Sequence, residues 1–322
     1  MLEKTTDLVV IGGGAAGMPA ALEAMEQGVP SVILLDKNPV PGGNARMAGG
    51  YLFAADSYTQ EEAGTVLHRE DAYREAMRYN HGHNVNPRIL RAFIDRSADD
   101  LAWLRTKGIE YFDTQFMGNG IVGAGAPGSY ARVIDKLKED FVALGGEVLG
   151  STPAKEILLD DSGAVRGVLA QNKNGEELLI HTKYVMLAPG GFMGNAELME
   201  RYFSEEYDEK AYVTDAIRYP GDGVAMAERI GAKLSSSATL VKESGYSFAH
   251  KRNRPHRVGM LPGAVWINAE GRRFCDESTG NDHNNPNLLV QQPGMVGYAL
   301  FDTNLLDDLI AHPTPQVNNM FL

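Results

Sequence analysis

The sequence predicts an α/β fold: a Rossmann-like dinucleotide-binding domain with an inserted β-meander, followed by a smaller α+β domain. Three observations predict it. An apolar run, Leu8-Val9-Val10-Ile11, leads through Gly12-Gly13-Gly14-Ala15-Ala16-Gly17 and a helix-compatible stretch, Met18 to Gln27, into a second apolar run, Val32-Ile33-Leu34-Leu35. Short strand-like segments separated by turn sequences fill residues 147–181. Regular periodicity then fades, which divides the chain into residues 1–237 and 238–322.

Composition narrows the function. Thirty basic against forty-two acidic residues give a net charge of −12, which opposes nucleic-acid binding and attraction to an anionic membrane surface. The chain carries 36 glycines in 322 residues, well above the usual ~7%. Such an excess accompanies backbone lying close to a ligand. No stretch approaches the ~20 apolar residues of a membrane span. Met1 to Asp7 lacks a basic segment and a long apolar segment, so no signal peptide is expected. A single cysteine, Cys275, precludes an intrachain disulfide, and a cytoplasmic location is expected. Cys275 follows Phe274 and reads as a small buried residue. No metal site is expected.

The elements follow in order. Strand one, Asp7 to Ile11, is apolar throughout, as in a buried parallel sheet. Gly12 permits the tight turn, Gly14 lets backbone approach a pyrophosphate, and Gly17 lets the helix pack closely on the sheet. The phosphate meets the helix N-terminus, where N–H groups and the dipole favour an anion. Asp36 ends the second strand roughly 20 residues on, where a carboxylate accepts from ribose hydroxyls and disfavours a 2′-phosphate. A second glycine stretch, Pro41-Gly42-Gly43-Asn44-Ala45-Arg46-Met47-Ala48-Gly49-Gly50, follows. It reads either as backbone wrapped on a ligand or as a flexible surface loop.

Gln60 to Tyr79 reads as one polar helix. Asn86-Pro87 opens a second, with Asn86 as N-cap and Gly108 as the stop. Its expected apolar face is Ile89, Leu90, Phe93, Ile94, Leu101 and Leu104. A glycine- and alanine-rich stretch, Gly118 to Gly128, precedes a helix from Tyr130 to Leu144. The strands of the meander are Glu147–Leu149, Lys155–Leu159, Val165–Gln171 and Glu177–His181, with turns at Asp161-Ser162-Gly163 and Asn172-Lys173-Asn174-Gly175. Tyr184 to Ala188 is a further buried strand, ending in Pro189-Gly190-Gly191-Phe192. Gly221-Asp222-Gly223 opens a helix over Val224 to Ile230, with Asp222 either an N-cap or a ligand group. The basic cluster His250 to Arg257 reads as a solvated loop or as a face toward an anionic substrate.

Four motifs line up: Gly12 to Gly17 with Asp36; Gly42-Gly43-Asn44 with Ala48-Gly49-Gly50; Ala188-Pro189-Gly190-Gly191-Phe192; and Gly221-Asp222-Gly223-Val224-Ala225-Met226-Ala227. A fifth, Ile267-Asn268-Ala269-Glu270-Gly271-Arg272-Arg273-Phe274, follows. Together they resemble the fumarate reductase/succinate dehydrogenase flavoprotein family, especially its soluble fumarate, urocanate and 3-ketosteroid oxidoreductases. The resemblance implies FAD, and it names the residues that hold it. Gly12, Gly14, Ala16 and Gly17 would hold the pyrophosphate, and Asp36 the adenosine ribose, with Lys37 a further contact. Gly42, Gly43, Asn44, Ala48, Gly49 and Gly50 would run along the ribityl chain and isoalloxazine. Ala154 would offer its backbone to the adenine, Ala188, Gly190 and Gly191 would line the adenosine side, and Asp222 would bond near the flavin's polar chain. Membrane-bound members attach the flavin to a histidine of the second loop. Residues 44–50 contain none, so FAD is expected to be non-covalent. The activity implied is hydride transfer between flavin N5 and an activated carbon–carbon bond of a small organic substrate.

The chain also departs from the family. Pro189 stands where a threonine is usual, and the second loop is one residue short. The family's arginine acid, eight residues after the arginine of the Arg-Phe pair, is Asn281 here. The implication is against fumarate as substrate. Asp282, His283 and the more remote Tyr246 are the candidate proton carriers. The family continues past its capping domain, whereas this sequence stops at Leu322 inside it. The expectation is a partial capping domain. Three explanations stand: truncation, a split enzyme completed by another chain, or a degenerate protein. The partners admitted are a complementing chain or an electron-transfer partner, and the alternative to an oxidoreductase is a catalytically incomplete flavin-binding fragment or subunit that needs a partner chain.

Overall fold

The two apolar runs that open the chain become neighbouring strands of one parallel sheet. The computed structural model describes residues 2–48, 50–79, 85–113, 121–124, 130–203, 220–234, 263–274, 277 and 292–311. A polar strand β1 (Leu2–Thr5) precedes β2 (Leu8–Ile11), α1 (Gly17–Glu26) and β3 (Val32–Leu35). Next come β4 (Tyr51–Phe53), α2 (Tyr58–Ala63), α3 (Arg69–Tyr79), α4 (Pro87–Thr106), β5 (Tyr111–Asp113), β6 (Ile121–Ala124) and α5 (Ala131–Ala143). Five strands follow: β7 (Glu147–Leu149), β8 (Ala154–Leu159), β9 (Val165–Gln171), β10 (Glu177–His181) and β11 (Tyr184–Leu187). Two helices, α6 (Ala196–Phe203) and α7 (Asp222–Arg229), come next. Further along lie β12 (Val265–Asn268), β13 (Gly297–Leu300) and α8 (Thr303–Ala311).

The central sheet runs β11-β2-β3-β7, all parallel. Side chains alternate across it. Val10, Val32 and Leu34 face α1 and α5, packing with Met18, Leu22, Ile134, Leu137 and Phe141. Val9, Ile11, Ile33 and Leu35 face the other way, against Ile157, Val168, Leu178, Ile180 and Met226 of the meander and α7. The strands are thus covered on both faces. That is why their sequences are solid apolar runs without alternation. Each fully buried aliphatic side chain contributes about 1.5–3 kcal/mol.

Several expectations are corrected. Glu147–Leu149 does not belong to the meander: β7 pairs parallel with β3, as the return strand of a β-α-β unit through α5. The meander sheet instead gains β1, in the order β1-β10-β9-β8, with Leu2 opposite Leu178. The sequence Leu-Glu-Lys-Thr carries no apolar run to announce it. The helix expected over Gln60 to Tyr79 is two, α2 and α3, because Gly64 terminates the first in the left-handed conformation (φ +68). Ser57 and Gln60 form a capping box at its other end. Within the stretch read only as glycine-rich, β6 is a strand between β4 and β5.

On α4 the Asn86 cap is present, its Oδ1 accepting from Arg88 N and Ile89 N. Ile94, Leu101 and Leu104 are buried, but Ile89 and Phe93 are 66% and 53% exposed. Ile89 and Phe93 lie off the side of the helix on which Leu90 and Ile94 pack with Ala55 and Ala72. Asp222 is the first helical residue of α7, not its cap. The cap is Gly221.

The chain divides into two compact units, Met1–Ser204 with Val213–Ala238, and Glu205–Tyr212 with Thr239–Leu322. In the second, β12 and β13 form an antiparallel pair. Among the described residues no helix is long and apolar enough to cross a membrane.

Candidate functional site

The β2–α1 turn sits at the carboxyl end of the central sheet. Gly12 N donates to Leu35 O at 2.8 Å, and Ala188 N donates to Ile11 O at 2.8 Å. These bonds hold the turn between the ends of β3 and β11. A Cβ on Gly17 would lie 1.8 Å from Gly12 O and 3.2 Å from Ala188 Cβ. Only glycine lets α1 start this close to the sheet. No side chain caps α1, and its first turn holds no acidic residue. Its N-terminus therefore suits an anion.

Asp36 is buried at the end of β3. Its Oδ2 accepts from Gly13 N at 3.0 Å and its Oδ1 from Asn38 N at 2.8 Å. The carboxylate thus braces the first glycine loop. With about four lone-pair sites it retains capacity for a further donor. Its carbonyl accepts from Thr152 N at 2.8 Å, which brings the start of β8 at Ala154 to the same end of the sheet. Lys37 Nζ donates to Asp222 Oδ2 at 3.2 Å, joining the end of β3 to the first turn of α7. A Cβ on Gly223 would lie 2.3 Å from Pro189 Cγ, so α7 packs on the loop after β11.

The second glycine loop completes the cluster. A Cβ on Gly14 would meet only Gly42 O, at 3.7 Å. The two glycine loops therefore lie side by side, at ordinary contact distance. Gly43 to Met47 form a 3-10 turn. Inside it Asn44 Nδ2 is buried and has no hydrogen-bond partner among the described residues. A buried amide left unpaired costs about 1–3 kcal/mol. Arg46 donates to both oxygens of Asp135 on α5, at 2.7 and 3.0 Å. This pair raises the Arg46 pKa and holds the Asp135 carboxyl below the ordinary carboxylate range, chiefly through the hydrogen bonds between them. Arg46 and Asp135 were not among the expected site residues. Only proximity in the fold joins them across 89 positions of sequence.

Of the residues expected to bind a cofactor, the structure brings Gly12, Gly14, Ala16, Gly17, Asp36, Lys37, Gly42, Gly43, Asn44, Ala48, Gly50, Ala154, Ala188, Gly190, Gly191 and Asp222 into the first unit. Gly49 lies outside the described residues, as do the expected proton carriers Tyr246, Asp282 and His283, together with Asn281, Cys275 and the basic cluster 250–257.

A family model described as FAD binding domain matches residues 7–295. The chain belongs to this FAD-binding family. FAD is accordingly its cofactor. The chain is similar to a vinyl phenol reductase of Lactiplantibacillus plantarum, 32% identical over 97% of this chain and 64% of the relative. It is similar to a fumarate reductase (cytochrome) of Shewanella frigidimarina, 30% identical over 95% of this chain and 53% of the relative. Among solved structures, the open conformation of a flavocytochrome c3 fumarate reductase superposes with a TM-score of 0.76 at 25% identity, covering 98% of this chain and 56% of that one. The chain thus spans between half and two thirds of the length of these relatives.

Two observations within the FAD-binding fold fit the cofactor. Apart from Gly42 O, no non-neighbouring atom among the described residues would lie within 4 Å of a Cβ on Gly14, so a group can approach its backbone directly. The Asn44 amide supplies an unmet donor in the loop beside it. An elongated ligand with a diphosphate and several acceptor atoms answers both.

Proposed function

We propose that the chain is an oxidoreductase that binds FAD non-covalently and transfers a hydride between the flavin and an activated carbon–carbon bond of a small organic substrate, to the alkene in reduction or from the saturated bond in the reverse direction. The observation that carries this reading is the meeting of two glycine loops, an uncapped helix N-terminus and the unpaired Asn44 amide at one end of the sheet. In this reading Gly12, Gly14, Ala16 and Gly17 receive the pyrophosphate at the start of α1. Asp36 accepts from the adenosine ribose, with Lys37 close by, and Ala154 offers backbone to the adenine. Ala188, Gly190 and Gly191 line the adenosine side. The loop from Gly42 to Gly50 lies along the ribityl chain and ring, with Asn44 donating to it, and Asp222 bonds to the polar chain. When bound, FAD supplies a hydride acceptor and donor at its N5. The protein places the alkene, excludes water and moves the accompanying proton. Tyr246, Asp282 and His283 are the side chains proposed for that proton, since Asn281, at the position the family resemblance assigns to an arginine acid, has no titratable proton to give.

The names of the relatives, a vinyl phenol reductase and a fumarate reductase, support an alkene polarised by a neighbouring aryl or carboxylate group. The absence of the arginine acid favours a substrate other than fumarate. Two electrons must reload the cofactor, and the donor classes this reading admits are a cytochrome, delivering them one at a time, and a reduced nicotinamide, delivering them as a hydride. A cytoplasmic setting is part of the proposal. The test has two stages. Purified protein given FAD is expected to retain flavin absorption after desalting and to lose it on denaturation. The reduced protein, kept anaerobic, is then offered aryl alkenes, enoates and enones, and reoxidation by at least one is expected. Retained flavin with no reoxidation by any polarised alkene would remove the proposed chemistry while leaving the cofactor in place.

A further inference from the structure

We infer that Arg46 and Asp135 are positioning residues that set the second glycine loop in its cofactor-receiving shape before FAD arrives, so that the Asn44 amide is presented rather than assembled on binding. The inference rests on the proposed placement of FAD along this loop.

The loop from Pro41 to Ala48 contains a 3-10 turn and is tied to α5 and its N-terminal neighbour Tyr130 through Arg46 and Ala48, with Arg46 reaching back to its first residue. Near its end, Arg46 grips Asp135 through two parallel hydrogen bonds, and it reaches back to the loop's start to donate to Pro41 O at 3.3 Å. The arginine stem passes directly over Gly42. A Cβ there would lie 2.4 Å from Arg46 Cγ, and Gly42 has φ +127, where side chains rarely sit. At the loop's far end, Tyr130 N, preceding α5, donates to Ala48 O at 2.9 Å. Within the span that the Arg46–Pro41 bond closes stand Gly43, whose Cβ would meet nothing within 4 Å, and Asn44 with its unpaired buried Nδ2. A loop closed on itself by Arg46 and tied to α5, with an unmet donor inside the closed span, is arranged for a ligand rather than for its own packing.

The energetics separate positioning from bulk stability. The Arg46 and Asp135 side chains are 30% and 48% exposed, so the ion pair is screened and adds little to global folding. Its planar fork nevertheless fixes direction as well as distance. Without it, residues 42 and 43 regain glycine's wide conformational range, and the cost of reordering them falls on FAD binding.

The experiment compares wild-type protein with Arg46→Ala, Asp135→Ala, the double variant and Arg46→Lys. FAD affinity is read by quenching of flavin fluorescence, the bound-flavin visible band is recorded, and the thermal midpoint is measured on cofactor-stripped protein. Each alanine variant is expected to raise Kd roughly tenfold or more, the cost of reordering about one residue's backbone. The double variant should be no worse than either single one, because both remove the same fastening. Arg46→Lys keeps the charge without the fork and should fall between wild type and Arg46→Ala. The stripped proteins should melt within a few degrees of one another. Unchanged Kd in both alanine variants, or losses that multiply in the double variant, would overturn the inference. If Arg46→Ala does not fold, Arg46→Lys against Asp135→Asn decides the same point, since a positioning role requires both to weaken FAD binding while the midpoint holds. Failure of the wild-type protein to bind FAD would overturn the cofactor placement beneath the inference, a result distinct from a variant that binds as wild type does.

Discussion

Gly14 and Gly17 stand three positions apart and are held by different forces. A methyl group on Gly17 would drive into Gly12 O at 1.8 Å, a backbone atom with no room to retreat. Gly17→Ala should therefore cost at least ~2 kcal/mol of stability, seen as a drop of several degrees in the melting of cofactor-stripped protein. A methyl group on Gly14 meets only Gly42 O at an ordinary 3.7 Å. Gly14→Ala should leave the stripped protein within ~0.5 kcal/mol of wild type, yet raise the Kd for FAD at least about tenfold, because the methyl occupies the path of the pyrophosphate. Equal effects of the two substitutions on melting would contradict this division. Tyr111 is the opposite case, a polar group with no evident duty. It is 3% exposed, and its hydroxyl has no partner among the described residues. Burial pushes its pKa well above the ordinary tyrosine value, with the neighbouring Tyr130 and Tyr58 adding to the effect. Removing an unpaired buried hydroxyl while keeping the ring should be neutral or stabilising by up to ~1 kcal/mol in Tyr111→Phe. A loss of more than that in urea denaturation would reveal a partner for the hydroxyl.

Among the elements, those with one-sided chemistry were legible in advance. The β2–α1–β3 unit follows from an apolar run, spaced glycines and a terminal carboxylate, and Asn86-Pro87 marks the start of α4 because a cap and a φ-restricted ring are local devices. Pairings with a partner distant in sequence were not legible, even where the strand itself was, as at Glu147–Leu149. β1 is a strand because Leu2 and Lys4 lie opposite Leu178 and Ile180 of β10, and β7 joins β3 because α5 carries the chain back over the sheet. Neither fact is written in four or three residues of local sequence. The site divides in the same way: its glycines announced themselves, while the Arg46–Asp135 fastening did not. The fifth sequence motif proves to be a tight hairpin turn. Asn268 Oδ1 accepts from Glu270 N and Arg272 N at 3.0 Å each, and Gly271 supplies φ +75. Glu277 locks this turn to β12. It accepts from Trp266 N at 2.6 Å and from Arg273 Nε at 2.8 Å. Burial alone would push the Glu277 carboxyl up, but the Arg273 guanidinium and the Trp266 and Glu277 amides outweigh it and hold the group down at about 2, against an ordinary 4.5. A carboxyl with a depressed folded-state pKa contributes stability above its unfolded value and loses it as pH falls through the folded one. The β12 hairpin should therefore weaken between about pH 4.5 and about pH 2. Glu277→Gln should lower its stability at neutral pH and flatten that acid dependence, as followed by Trp266 fluorescence. An unchanged acid profile in the variant would place the titration elsewhere.

At the scale of the whole molecule, the described site residues belong to one of two compact units, and this predicts where the cofactor's binding energy is felt. The central sheet of the first unit is covered by α1 and α5 on one face and by the meander with α7 on the other, and both glycine loops leave from its carboxyl end. A ligand gripping those loops binds the folded unit and not the unfolded chain, so it stabilises by mass action. At a free FAD concentration a hundredfold above Kd the gain is ~2.7 kcal/mol. Amides of β2 and β3, the most deeply buried strands, open only with their unit and should report that gain as roughly a hundredfold slowing of hydrogen exchange. Amides of the β12–β13 pair lie in the second unit, and their exchange should slow far less than that of β2 and β3. The comparison is made on one sample with and without FAD, so differences in intrinsic exchange cancel. If β2 and β3 show no slowing while the flavin is demonstrably bound, the cofactor does not sit on the two glycine loops. If the slowing is present in wild type and reduced about tenfold in Arg46→Ala at the same FAD concentration, the loss appears at the sheet the loops spring from, as mass action on a weaker Kd requires.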